Sequence, residues 1–331
     1  MSGWMVVCRK ELADNLGSKR FLLLFGLIIA LALLSAYQGA ESIRESGSSG
    51  QLFINIFSGS YGGGGSFLYM MYLFGAIIGL SLSFDAINRE RTEGSLSVLL
   101  SQPIFRDSII NGKFLAGISA LSLVAVSTVG IMSGVAIPIL GFGPGPDEIV
   151  RIVLFTLITI LYLAVWYAIG LFFSTVTRKT TTSMLMSISV WVMSILVISI
   201  IASLVANALY PTQMPTGMFT ISEDGSYSQN ELMMTEYRER IQANSELRQM
   251  IQRISPSTLY QEAASSITTV SGIFISGPTI VSYGSSSSYY SGAEQDMLSS
   301  WPQITVLAVI LIVCFAASYM LFLRQEIRAG A

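Results

Sequence analysis

Six long apolar segments constrain this sequence more than any other feature. None of them contains an aspartate, glutamate, lysine, arginine or histidine, and about 17–25 apolar residues are enough for a helix to cross a bilayer. Because lipid offers the backbone no hydrogen-bond partners, such segments cross as helices. The sequence therefore predicts an all-α polytopic membrane protein with six transmembrane helices, over residues 21–37, 67–84, 114–142, 152–174, 182–210 and 301–323.

The composition agrees with a membrane protein. Of 331 residues, 52% are hydrophobic and only 11% are charged, which is about half the charged fraction of an average soluble domain. We expect a membrane domain over residues 1–210, an extracytoplasmic cap over 211–300, and the sixth helix with a short tail over 301–331.

The distribution of lysine and arginine predicts the orientation. Basic residues precede the first apolar segment, follow the sixth, and lie in the connections from the second to the third and from the fourth to the fifth. The short loops on the other side hold only Arg44 and Arg151. Because positively charged loops stay in the cytoplasm, we expect a multi-pass protein of the plasma membrane with both termini cytoplasmic.

The first residues predict a helix that lies in the membrane interface. Over residues 4–20 the apolar side chains share one helical face and the charged ones lie away from it, as in interfacial helices. A signal peptide is the alternative interpretation. The charged region is long and contains acids, and Tyr37-Gln38 is a poor cleavage site, so we favour a retained helix.

A charged island at residues 85–113 separates the second and third apolar segments. The second helix is expected to continue to Glu93, where Gly94 is suited to end it. After it comes a short amphipathic helix with an apolar face, and Asp107 is placed to cap the third transmembrane helix. The alternative is a solvated loop that only sets topology, but such a loop needs no apolar face. The short helix carries Leu96, Leu99 and Leu100 and ends at Pro103.

The island also resembles the segment between the second and third helices of type 2 ABC exporter permeases. The resemblance rests on the order Asp85, Glu90, Gly94-Ser95-Leu96, Leu99-Leu100-Ser101, Pro103-Ile104, Arg106 and Gly112-Lys113, with serine where the family usually has threonine. It implies a coupling helix that docks on a separate P-loop ATPase subunit. The implied coupling residues are Arg89, Glu90, Glu93, Gly94, Leu96, Leu99, Leu100, Pro103 and Arg106, with Glu90 in electrostatic contact with the ATPase.

A second motif, Ser255-Pro256 followed by Tyr260, is similar to the branch that includes the multicopper-enzyme maturation permeases. The resemblance implies two permease copies, expected as a homodimer, working with two ATPase chains. It places ATP and Mg²⁺ on the ATPase, so that no cofactor is bound by this chain. The sequence itself contains no G-x-x-x-x-G-K-[ST] motif, the phosphate-binding loop of such enzymes.

Several other chemistries are disfavoured. The chain has no histidine, which removes the usual activator of a serine nucleophile and the commonest metal ligand. We therefore expect no catalytic, cofactor or metal site, and nothing indicates a nucleic-acid partner. Apolar segments without ionisable groups disfavour an ion-coupled carrier. Met214, Met218, Met233 and Met234 could suit Cu(I), but packing is the more economical interpretation.

Small and hydroxyl residues recur inside the apolar segments. Gly75, Gly79 and Ser83 form one line on the second segment, and Gly130 with Gly134 forms another on the third. Such lines predict close helix packing, with a dimer interface or a gate as the alternative. The Ser187 and Ser194 hydroxyls either line an aqueous path or bond back to their own helix.

The two longer outer loops receive different predictions. Residues 38–66, rich in serine and glycine, are expected to form a flexible exterior loop. Within 211–300, the spacing Ser228-x-x-Glu231 predicts a helix that ends at Pro256, followed by a second one over 257–267. Two functional alternatives to a transporter stay open: a mechanical subunit that acts on an extracytoplasmic partner, and a channel or scaffold without an ATPase.

Overall fold

The structure is a computed structural model and describes residues 3–46, 53–58, 66–92, 106–213, 219–221, 227–229, 231–268, 274–276, 279–281 and 293–324. The predicted coupling helix within 93–105 and the residues Met214 and Met218 lie outside this range. Within it, six helices are long and apolar enough to cross a membrane. The prediction of an all-α polytopic membrane protein is confirmed.

The N-terminal helix, Gly3–Gly17, precedes the six spans. The helices of the spans have these bounds: span 1, Lys19–Ser46; span 2, Phe67–Met70, a π-turn at Met71–Gly75, Ala76–Ser83 and Asn88–Thr92; span 3, Arg106–Leu140; span 4, Pro146–Val176; span 5, Thr180–Val192, a π-turn at Met193–Val197 and Ile198–Leu209; span 6, Ala293–Arg324.

Span 1 is longer than the sequence predicted. Its helix continues past Tyr37 to Ser46. Beyond the predicted end, Ala40 and Ile43 are buried on the same face as Ala36, because residues three and four apart are neighbours on a helix. The buried face of the helix therefore extends beyond residues 21–37, the uninterrupted apolar segment from which the span was predicted.

The predicted flexible loop over 38–66 also contains buried structure. Asn55–Ser58 forms a short helix. Its Phe57 ring is fully buried and lies 5.5 Å from the ring of Phe155 and 6.0 Å from that of Phe67, between ring centroids. This aromatic cluster holds the loop against spans 2 and 4.

Span 3 begins and ends earlier than the predicted 114–142. It begins at Arg106, so the last residues of the charged island form the first turns of its helix. It ends at Leu140 because Gly141 has a φ of +76°, a left-handed conformation that glycine adopts without a steric cost and that commonly ends helices.

Span 4 begins earlier than the predicted 152–174. Its first residue is Pro146, which suits the first helical turn because proline has no N–H to satisfy there. The Glu148 carboxylate accepts a hydrogen bond from the Gly145 N–H at 2.8 Å, which completes a cap at this end. Span 6 begins earlier too, since the helix-favouring residues before 301 extend it to Ala293.

Span 2 is interrupted where a continuous helix to Glu93 was predicted. Its main helix ends at Ser83, and a second one resumes at Asn88. Between them, the Ser174 hydroxyl of span 4 accepts the backbone N–H groups of Ile87 and Asn88 at 3.0 and 3.3 Å. A side chain of span 4 thus replaces the carbonyls that a continuous helix would have used.

By its contacts the chain divides into two compact units. The first is Met1–Trp191, Leu259–Gly272 and Ser285–Ala331, and the second is Val192–Thr258 and Ile273–Gly284. In the first unit, the buried share of the apolar window is 67% for span 2 and 61% for span 4, against 22% for span 1 and 17% for span 6. Spans 2 and 4 therefore form its core.

Glycines allow spans 2 and 4 to approach closely. A Cβ atom on Gly79 would lie 2.9 Å from the Leu163 carbonyl oxygen, and one on Gly75 would lie 3.0 Å from the Leu163 side chain. Gly170 of span 4 lies against the Ser83 hydroxyl. The Gly75, Gly79 and Ser83 line is thus a packing surface inside this chain.

In the second unit, the helix Glu231–Gln252, here named the descending helix, lies antiparallel to the second half of span 5. Near the end of span 5, the Asn244 amide donates a hydrogen bond to the Asn207 side chain at 3.0 Å. Beyond the helix, the Ser255 hydroxyl lies 2.6 Å from that of Ser194, halfway along span 5. The chain has therefore travelled from the end of span 5 to its middle.

The helix Pro256–Thr268, here named the ascending helix, belongs to the first unit from Leu259 onward, and this part lies antiparallel to span 4. The ring of Tyr260 stacks on that of Tyr162 at a centroid distance of 4.2 Å, and the Ile267 carbonyl accepts a hydrogen bond from Arg151 at 3.0 Å. Tyr162 lies about 24 Å along span 4 at 1.5 Å per residue, which is half the length of this 31-residue helix.

The extracytoplasmic cap over 211–300 stays a prediction. Within this region, Ser255 contacts the middle of span 5, and Tyr260 contacts the middle of span 4. Pro256 suits the boundary between the two helices because it ends one helix and suits the start of the next. The second unit also contains strands, in two antiparallel hairpins: Phe219–Ile221 with Tyr227–Gln229, and Phe274–Ser276 with Thr279–Val281.

Candidate coupling site

A buried lysine joins three helices at the end of the first unit that carries the charged island. Lys113 of span 3 is 3% exposed. Its Nζ lies 2.9 Å from Oε2 of Glu11 in the N-terminal helix and 2.7 Å from Oε1 of Glu90 in the helix after Ser83. Burying an ammonium is costly unless it is paired, and here two carboxylates pair with it. We call Lys113, Glu11 and Glu90 the Lys113 cluster.

Small residues bring the backbones together around this cluster. A Cβ atom on Gly112 would lie 2.8 Å from Cβ of Val7, so only glycine lets the N-terminal helix pack so closely on span 3. One turn further along span 3, Gly117 lies directly against the ring of Tyr167. The Tyr167 hydroxyl donates a hydrogen bond to the Lys113 carbonyl at 3.0 Å, which ties span 4 to the same point.

A second ion pair lies beside the cluster. Nη1 of Arg20, at the start of span 1, lies 2.7 Å from Oδ2 of Asp85. The same guanidinium sits 5.4 Å from the centroid of the Phe84 ring, within the range of a cation–π interaction. The side chain of Asp85 is only 14% exposed, so the pair is partly shielded from water and holds span 1 to the interruption of span 2.

Polar contacts also fix the helix Asn88–Thr92 to the end of span 4. Asn88 is fully buried, and its amide donates a hydrogen bond to the Thr177 hydroxyl at 2.9 Å. Arg91 donates to the Thr177 carbonyl at 3.2 Å. Together with the Ser174 contacts, these bonds hold the residues that immediately precede 93–105.

The predicted coupling residues have different positions. Glu90 forms an ion pair with Lys113 within the chain, and its contact with an ATPase stays a prediction. Arg89 is exposed. Arg106 begins the helix of span 3. The remaining six lie outside the described residues: Glu93, Gly94, Leu96, Leu99, Leu100 and Pro103.

The other predicted site residues differ from one another in burial and in hydrogen bonding. Gly130 and Gly134 are exposed, and a Cβ atom on either would have no neighbour within 4 Å, so they do not serve packing within the described part of this chain. Ser187 is buried, and its hydroxyl has no hydrogen-bond partner among the described residues. Ser194 bonds to Ser255 instead of bonding back to its own helix.

The external motif is likewise built into the fold. Tyr260 is fully buried, with its hydroxyl 3.2 Å from that of Thr159. Pro256 begins the ascending helix. The motif residues therefore act as packing and turning points.

Sequence reasoning missed a second polar cluster at the opposite end of span 4. Arg151 is 1% exposed; it pairs with Asp147 at 3.0 Å and donates to the Ile267 carbonyl. The Glu148 carboxylate accepts the Ile54 N–H at 3.1 Å. The i, i+4 spacing of Asp147 and Arg151 was a detectable signal, but Arg151 was counted only toward topology.

No group of three or more His, Cys, Asp and Glu side chains that could hold a metal is present in the described ranges. Met233 is exposed and Met234 half-buried on the descending helix. The structure therefore adds nothing to the Cu(I) interpretation of the methionines.

Six apolar spans, with buried ionic contacts at both ends of span 4, define a multi-pass membrane protein. A family model described as ABC-2 family transporter protein matches residues 5–327, and the chain belongs to this family. A search of curated proteins finds no significant match. Membership supports the predicted type 2 ABC permease and implies partnership with an ABC ATPase subunit; the multicopper-enzyme maturation branch stays a prediction.

Proposed function

We propose that this chain is the permease subunit of an ATP-driven exporter and that a P-loop ATPase docks on residues 93–105. The observation that carries the proposal is the bonding of the helices that precede and follow this segment. On one side, Asn88 and Arg91 are bonded to Thr177. On the other, Lys113 near the start of span 3 holds Glu90 across the gap.

The attachment supports a mechanical role for the segment. A displacement of residues 93–105 would act on span 2 through Ser83 and on span 3 through Lys113. It would act on span 4 as well, because Ser174 and Tyr167 bond to the same region. Packed helices switch between discrete arrangements more readily than they deform, so movement of an ATPase would shift spans 2, 3 and 4 together and open a path.

The finer architecture belongs to the same proposal. Two permease copies, as a homodimer, would work with two ATPase chains that hold ATP and Mg²⁺. The exposed faces of Gly130 and Gly134 are available to a second copy or to lipid. The charge distribution supports cytoplasmic termini in the plasma membrane, and with this orientation residues 93–105 would face the side where ATP is found.

Co-purification tests the proposal. The tagged chain is extracted in mild detergent from its native host beside Leu99→Asp/Leu100→Asp, which places charge on the predicted docking face. The matched control is Leu232→Asp, since Leu232 is 84% exposed on the descending helix. We expect a P-loop ATPase with the wild type and the control but not with the double variant.

Two results would count against the proposal. If no ATPase elutes with the wild type, a channel or scaffold becomes the better account. If the ATPase elutes equally with the double variant, docking occurs elsewhere on the chain. Purified complex that hydrolyses ATP without moving any cargo would favour the mechanical alternative.

A further inference from the structure

The Lys113 cluster connects a helix that the coupling hypothesis does not require. Glu11 belongs to the N-terminal helix, which lies outside the six spans. The two carboxylates come from helices on either side of the lysine, and their side chains are 14% and 15% exposed. A shielded arrangement of this kind keeps most of its electrostatic strength, whereas exposed pairs contribute little.

We propose that Lys113 is a positioning residue whose charge makes the N-terminal helix move together with the helix Asn88–Thr92. The proposal rests on the proposed function, because it assumes that an ATPase displaces the residues that follow Thr92. Lys113 is the eighth residue of span 3, and Glu90 belongs to the helix Asn88–Thr92. The ammonium therefore pairs this helix with span 3 and with the N-terminal helix.

Charge is the specific element in this connection. Without the ammonium, Glu11 and Glu90 would be two like charges facing one shielded site, and their repulsion would separate the N-terminal helix from Asn88–Thr92. The close approach of Gly112 to Val7 could still hold the N-terminal helix on span 3. Packing thus holds the N-terminal helix on span 3, while the charge of Lys113 holds it to the helix Asn88–Thr92.

A neutral version of the cluster separates this role from folding. Lys113→Met alone leaves two buried carboxylates uncompensated and is expected to fold poorly. The triple variant Glu11→Gln/Glu90→Gln/Lys113→Met contains no buried charge at the site, and replacing a whole buried ionic group by neutral residues is often tolerated. The matched control is Glu236→Gln/Arg240→Gln, which neutralises an exposed ion pair on the descending helix.

The readout is a distance between the two helices in the ATPase complex. Spin labels are placed at Asp14→Cys and Thr92→Cys, both exposed positions, with Cys8 and Cys314 replaced by serine. Labelled chain is diluted with unlabelled chain, and pulsed EPR distances are recorded without nucleotide and with a non-hydrolysable ATP analogue. In the wild type and the control we expect one narrow distance that is the same in both states.

In the triple variant we expect loss of that fixed distance, as a broadened or split distribution when nucleotide binds, with the ATPase still present. An unchanged narrow distance in the triple variant would overturn the proposal. A triple variant that fails to elute as a monodisperse protein would overturn it too, because Lys113 would then serve folding alone. If the wild type retains no ATPase, the proposed function fails first, and this outcome is distinguishable from the other two.

Discussion

The Tyr260 ring stacks on the Tyr162 ring with an interplanar angle of 12°. Tyr260→Phe keeps this stacking and removes the hydrogen bond between the hydroxyls of Tyr260 and Thr159, so we expect a loss of about 1 kcal/mol. Tyr260→Ala removes the ring and leaves a cavity, so we expect a loss of about 3–5 kcal/mol. Apparent Tm in detergent should fall in the order wild type, Tyr260→Phe, Tyr260→Ala; equal values for the two variants would contradict the stacking.

The glycines of span 3 are expected to respond in opposite ways. Gly117→Ala introduces a Cβ atom into the ring of Tyr167, which is fully buried and cannot withdraw; we expect a lowered Tm and poor expression. Gly130→Ala meets no atom within 4 Å and should be neutral or stabilise the helix by up to about 1 kcal/mol. Similar losses for both variants would mean that Gly130 has a partner, and a changed oligomeric state of Gly130→Ala would identify it as a second copy.

Arg151 is expected to hold the ascending helix. Arg151→Met removes a charged donor from the Ile267 carbonyl, which should cost about 1.5–3 kcal/mol and increase protease cleavage near residues 253–268. Arg44→Met is the control, because its ion pair with Glu41 is exposed and should contribute less than about 1 kcal/mol. Equal proteolysis and Tm in the two variants would contradict this role.

Cys8 provides a pH test of the N-terminal helix. Burial raises the pKa of the Cys8 thiol, and only the thiolate reacts with alkylating reagents. At a given pH a higher pKa means less thiolate, so the alkylation rate should rise through a midpoint above that of free cysteine. The rate is measured against pH in Cys314→Ser, with Cys8→Ser as the blank; a midpoint at or below that of free cysteine would show that the thiol is not buried.

Hydropathy alone located all six spans, because a bilayer requires a long run without charge. The ends of the spans were less predictable, since they depend on partners from distant residues. The Ser174 hydroxyl of span 4 accepts backbone N–H groups of span 2 and so interrupts its helix. The left-handed conformation of Gly141 ends span 3 two residues before its predicted end. The contact of Ser174 is not visible in the local sequence, whereas a glycine at a helix end is a local signal that hydropathy does not take into account.

The contacts of the Ser255-Pro256 motif were not predictable for a similar reason. The descending helix is polar enough to be an ordinary external helix, with an exposed ion pair between Glu236 and Arg240. Its place beside span 5 depends on contacts such as Asn244 to Asn207, and beyond the helix Ser255 contacts Ser194. The Lys113 cluster followed the same pattern: the sequence indicated the importance of Glu90 and Lys113, but their pairing with Glu11 depends on the close approach at Gly112.

The most direct test of the coupling account is photo-crosslinking in living cells. A photoreactive amino acid replaces Leu99 in one version of the chain and Ile254, which is 70% exposed, in another. We predict that Leu99 forms one adduct with a protein that contains a P-loop sequence, and that Ile254 does not. An ATPase adduct from neither position, or from Ile254 alone, would contradict the docking of an ATPase on residues 93–105.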